Sequence, residues 1–139
     1  MTPAPGQLRE FARRYTEAWC SQDPARVAEN YEPDGSLTIN DGRPSVGRAA
    51  ITEAARSFMD AFPDMQVLMD DLLVRGEHAE YRWTLVGTNG GPGGTGRTVR
   101  ISGFEEWTIG DDGLIAASLG HYDQAEYDRQ LEHGVEELR

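Results

Sequence analysis

Residues 97–123, RTVRISGFEEWTIGDDGLIAASLGHYD, decide the fold. β-Branched and aromatic residues fill both sides of Gly110-Asp111-Asp112-Gly113, and that tetrapeptide has the composition of a tight turn. The stretch therefore predicts two antiparallel strands, Arg97 to Ile109 and Leu114 to Asp123. Successive side chains on a strand point to opposite faces, which puts Val99, Ile101, Gly103, Glu105, Trp107 and Ile109 together. Glu105 thus stands on an apolar face, where a carboxyl is costly unless it is hydrogen-bonded or has a displaced pKa that serves chemistry. On the second strand, turning Ile115 and Leu119 inward carries His121 and Asp123 with them. One concave side is expected to hold Glu105, His121 and Asp123. Structural roles compete for each: an ion pair with an Arg such as Arg82 for Glu105, a satisfied polar histidine for His121, and the N-cap of a following helix for Asp123.

The flanking sequence supplies the other layers. Met65 to Val74 and His78 to Thr88 read as two more strands, joined to each other by Arg75-Gly76-Glu77 and to the third by a Gly-rich run from Asn89 to Gly96. Upstream, Leu8, Phe11, Ala12, Tyr15, Ala18 and Trp19 recur at helical spacing. Asp23-Pro24 caps a short second helix, the turn Glu32-Pro33-Asp34-Gly35 ends it, Ser36 to Asn40 reads as a short strand, and Gly47 precedes a third helix that stops at Phe62-Pro63-Asp64. A charged last helix is expected from Gln124 to Leu138, with Tyr127, Leu131 and Val135 inward. Helices first and a long antiparallel meander afterwards indicate an α+β fold. We expect a cone-shaped barrel, a curved and mainly antiparallel sheet covered by the N-terminal helices and enclosing a pocket, in a single domain over residues 1–139 with 1–6 as a disordered leader.

Composition narrows the function. Thirteen Arg and no Lys face 24 carboxylates, for a net charge of -11, so a basic footprint for nucleic acid or an anionic membrane is missing. Without Lys there is no Schiff-base chemistry and no P-loop lysine. The single Cys20 cannot form an internal disulfide, the first residues lack the pattern of a secretory leader, and no apolar run is long enough to span a membrane. A reducing cytoplasm is the expected location. His78, His121 and His133 are scattered, so no metal is expected, and nothing calls for a cofactor. The run Asn89 to Arg97 reads as a flexible hairpin tip and not a phosphate loop. Tyr15, Trp19, Tyr31, Phe58, Phe62, Trp83 and Trp107 form the candidate pocket lining for a flat, hydrophobic, polyaromatic small molecule, although each also suits a plain core. The outward apolar residues Val86 and Phe104 suggest a homodimer through the convex sheet face.

Several segments taken in order carry a resemblance: Ala61-Phe62-Pro63-Asp64, Arg82 to Thr88 (RWTLVGT), Thr95-Gly96-Arg97, and Asp112-Gly113-Leu114-Ile115 through Asp123 to Gln130-Leu131. Together they resemble the SnoaL-like polyketide cyclase family of the nuclear transport factor 2-like superfamily over nearly the whole chain. The resemblance implies that Asp123, eight residues after Ile115 and seven before Gln130, is the acid/base of a cofactor-free intramolecular aldol ring closure. Leu114 stands where the family usually has a basic residue, and the strand before it offers Glu105 and Trp107 but no His to assist the Asp, a part His121 would then take. The superfamily also holds isomerases, epoxide hydrolases, hydroxylases and non-catalytic ligand-binding domains, so the fold alone does not choose among them.

Overall fold

A computed structural model describes residues 4–135. Helix α1 (Pro5–Cys20) begins with proline, whose missing N–H costs nothing in a first turn, and it buries Leu8, Phe11, Ala12, Tyr15, Ala18 and Trp19. Pro5 and Gly6 lie in the first turn of this helix, and residues 1–3 of the expected leader lie outside the described residues. Helix α2 (Pro24–Ala28) is capped by Asp23, whose Oδ1 accepts from the Ala25 N–H at 3.2 Å. Strand β1 (Tyr31–Ile39), the two-residue strand β2 (Ser45–Val46) and helix α3 (Arg48–Ala61) follow. The meander β3 (Gln66–Arg75), β4 (His78–Thr88), β5 (Thr98–Ile109) and β6 (Ile115–Tyr122) comes next, and α4 (Gln124–His133) closes the order. Gly134 has φ 78°, and its N–H bonds back to the Gln130 carbonyl to end α4. The part of the expected last helix beyond Val135 lies outside the described residues.

The six strands form one sheet in the order β2-β1-β6-β5-β4-β3. All neighbours are antiparallel except β1 and β6, which run parallel. The sheet is curved but does not close, so the expected cone is an open one whose edges are β2 and β3. Two features escape the strand patterns. Residues 32–35, read as a turn that ends α2, are an excursion inside β1, since Tyr31 pairs with Ile115 while Ser36 already pairs with Ala117. On β6, Ile115 pairs with Ile109 and Ala117 with Thr108, so Ala116 is an extra residue that reverses the facing of everything after it.

The concave face carries the core, and its centre is aromatic. Tyr81 and Trp107 stack at 4.8 Å between ring centroids, while Tyr15 meets both edge-on at 5.4 and 5.1 Å. Such pairs contribute about 0.5–1.5 kcal/mol each beyond the area they bury. Trp83 lies across Gly103, its partner on β5, and a methyl group at Gly103 would stand 2.3 Å from the His121 carbonyl oxygen and 2.6 Å from Trp83 Cζ2. The backbone oxygen cannot yield, so Gly103→Ala is expected to destabilise the chain by about 1–3 kcal/mol in denaturant unfolding. A loss below about 0.5 kcal/mol contradicts this packing.

Candidate functional site

Glu105 sits where alternation along β5 puts it, on the concave face, 7% exposed. Its Oε1 accepts three hydrogen bonds: from the Tyr15 hydroxyl at 2.9 Å, the Trp107 indole N–H at 2.9 Å and the Ser118 hydroxyl at 2.7 Å. The Tyr15 and Tyr31 hydroxyls lie 2.8 Å apart and extend the network. Among the described residues Oε2 has no such partner, and the side chain lines a narrow cleft with about 60 Å³ of free space. The other walls are Trp19 from α1, Phe58 from α3, Leu37 and Ile39 from β1, Val67 from β3, Tyr81, Trp83 and Leu85 from β4, Ile101 from β5, Gly120 and Tyr122 from β6, and Tyr127 from α4. Glu105 is the one carboxyl in an otherwise apolar and aromatic lining.

The expected constellation is only partly assembled. Because of the extra residue at Ala116, Ser118, Gly120 and Tyr122 take the inward positions opposite Trp107, Glu105 and Gly103. His121 is turned to the convex face, which corrects its expected placement in the pocket: its Nε2 lies 2.7 Å from Glu106 Oε2 and its ring packs on Phe104 at 4.7 Å. The expected concave placement of Asp123 is corrected by the same reversal. It is exposed, and its Oδ1 accepts from the Glu126 N–H at 3.0 Å as the N-cap of α4. Arg82 points outward to Glu80 at 2.6 Å, so it does not pair with Glu105.

Of the seven aromatic residues expected to line the pocket, Trp19, Phe58 and Trp83 do so. Tyr15, Tyr31, Phe62 and Trp107 are buried behind them in the core, where Tyr15 and Trp107 act by holding Glu105. Tyr81, Tyr122 and Tyr127 line the cleft as well, outside the expected set. Tyr127 was legible only as an inward helix position, and Tyr122 was hidden by the misjudged parity of β6. Among the described residues no group of three or more His, Cys, Asp or Glu side chains is placed to hold a metal ion.

Burial raises the pKa of Glu105 above its ordinary value of 4.5, and the bonds from Trp107, Ser118 and Tyr15 offset only part of that shift. Burial and the neighbouring Glu105 charge push the Tyr15 and Tyr31 hydroxyls well above 10, so both remain neutral donors. The sign for stability follows. The unfolded chain releases the Glu105 proton near pH 4.5 while the folded chain retains it to higher pH, so this group's contribution falls as pH rises through that window. Gln keeps an acceptor oxygen for the three donors and cannot ionise. Glu105→Gln is therefore expected to flatten this part of the stability profile and to equal or exceed the native chain in thermal stability at pH 8. A variant clearly less stable than the native chain at pH 8 contradicts a raised pKa.

Comparison with known proteins agrees with this architecture. No protein of curated function matches the sequence. Among solved structures, a candidate SnoaL-like polyketide cyclase from Jannaschia sp. CCS1 superposes with a TM-score of 0.83 at 19% identity, covering 97% of this chain and 99% of that one. A protein of ketosteroid isomerase-like fold from Catenulispora acidiphila gives 0.78 at 15% identity, over 94% and 93% of the two chains. AclR, a candidate hydroxylase from Streptomyces galilaeus, gives 0.78 at 20% identity, over 92% and 82%. At these identities the likeness is one of fold. The SnoaL-like domain model matches residues 12–118, most of the chain, and the protein belongs to the SnoaL-like domain family.

Proposed function

We propose that the chain is a cofactor-independent acid/base enzyme of polyketide cyclase type, acting on a hydrophobic small molecule in the cleft, with Glu105 moving the proton. The observation that carries this reading is the Glu105 carboxyl itself: Oε1 is held by three donors, Oε2 has no hydrogen-bond partner among the described residues, and the side chain lines an apolar cleft. A carboxylate with a raised pKa is a stronger base, and it returns its proton later. In the proposed step, Oε2 takes a proton from a carbon activated by adjacent carbonyl groups. The resulting enolate attacks a second carbonyl carbon of the same molecule, a C–C bond forms, and the alkoxide so produced takes the proton back. Tyr15, Trp107 and Ser118 keep the carboxyl in one orientation throughout. In this reading Asp123, the acid/base that the family resemblance implies, serves as the cap of α4. The single thiol of Cys20 suits a reducing cytoplasm.

Base activity is measurable without the natural substrate, as hydrogen–deuterium exchange next to the carbonyl of β-tetralone in heavy water. The native chain is expected to accelerate exchange, and Glu105→Gln to lower that acceleration by about 10² to 10⁴. Asp123→Ala is expected to cost about 1 kcal/mol of stability and to leave exchange intact. Exchange that survives Glu105→Gln and disappears in Asp123→Asn transfers the role to Asp123, and no acceleration by the native chain contradicts the enzyme reading.

We also propose a homodimer through the convex sheet face. Leu68 and Leu119 are 47% and 46% exposed there, beside the half-buried Val86 and Phe104. Sedimentation at micromolar concentration is expected to give a dimer that Leu119→Glu dissociates. A monomeric native chain contradicts it.

A further inference from the structure

The chain has three tryptophans, and their indole N–H groups are in two different situations. Trp107 donates to Glu105. The Nε1 atoms of Trp19 and Trp83 are buried without a hydrogen-bond partner, although Trp19 approaches the Tyr15 hydroxyl without reaching bonding geometry. A buried donor left unpaired costs about 1–3 kcal/mol, so such groups are rare and call for an explanation. Both orphaned donors belong to residues that line the cleft, one from the helical layer and one from the sheet. Neither nitrogen is open to a water-sized molecule, so an acceptor could reach it only if the aromatic lining parted.

We propose that Trp83, with Trp19 as a second donor, is a specificity-determining group for an uncharged, flat ligand that carries a carbonyl-type acceptor oxygen. This rests on the reading of the cleft as the ligand site. Charge excludes the other acceptors. The lining holds no Arg or His, so a carboxylate or phosphate would enter unpaired. Flatness follows from the rings of Trp19, Phe58, Trp83, Tyr122 and Tyr127, which offer faces and edges to an aromatic or conjugated frame. The chemistry is consistent with the proposed reaction, because a carbonyl that accepts a hydrogen bond gives up an adjacent proton more readily, and the Glu105 side chain lines the same cleft.

The test compares β-tetralone with tetralin, two bicyclic molecules that differ by one carbonyl oxygen. Proton–nitrogen correlation spectra of the labelled native chain give three indole signals, assigned with the single Trp→Phe variants. β-Tetralone is expected to move the Trp83 and Trp19 indole protons downfield, to leave that of Trp107 in place, and to bind about tenfold more tightly than tetralin, the gain of one well-made hydrogen bond. Trp83→Phe is expected to narrow that preference while tetralin still binds. Equal affinities with no downfield shift overturn the proposal and leave the cleft standing as an apolar ligand site. If neither molecule binds at millimolar concentration, both the proposal and the cleft reading are overturned.

Discussion

Three donors from three elements converge on one oxygen. Tyr15 comes from α1, Trp107 from β5 and Ser118 from β6, and Glu105 Oε1 accepts from all of them. A carboxyl cannot be buried at this depth without such compensation, and the compensation fixes where the helical layer sits on the sheet. Tyr15 can reach Glu105 only if α1 crosses the concave face at that level. There its ring also meets Trp107 and Tyr81 edge-on, so the polar and apolar parts of the core impose the same placement. The arrangement uses one oxygen for architecture and leaves the other without a hydrogen-bond partner among the described residues.

That division ties stability to chemistry. Removing any of the three donors both leaves a buried acceptor less satisfied and frees the carboxyl to turn, so their effects on folding and on proton transfer are coupled. The indole nitrogens of Trp19 and Trp83 show the converse. They are donors without compensation, in the same cleft, and the structure tolerates that cost next to the one carboxyl that has been compensated.

Much of this was legible in the residues. The alternation along β5 places Glu105 inward because nothing interrupts its pairing with β4, which runs without a shift from Thr98 to Thr108. The same rule fails on β6, where Ala116 adds one residue and exchanges the faces, so that Ser118 and Gly120 replace Ala117 and Leu119 beside the carboxyl and His121 turns outward. In a run as small and mixed as Ala116-Ala117-Ser118, neither parity is favoured by hydrophobicity, and a bulge leaves no mark in composition. The family spacing pointed to Asp123, yet position along the chain does not convey which face a residue occupies once a bulge intervenes. The aromatic residues were correctly read as interior, but their division between core and cleft depends on depth, which periodicity does not encode: Tyr15 and Trp107 lie behind the surface that Trp19, Phe58 and Trp83 present.

Glu105 is a compensated but still strongly desolvated carboxyl, and its titration reports that balance. Carbon-detected NMR of the glutamate side-chain carboxyl, assigned with Glu105→Gln, gives the midpoint in the folded protein. A midpoint above the ordinary value of 4.5 is expected. A midpoint at or below 4.5 means that the three donors, and not burial, dominate the site, which would rule out a carboxyl tuned by burial for proton transfer.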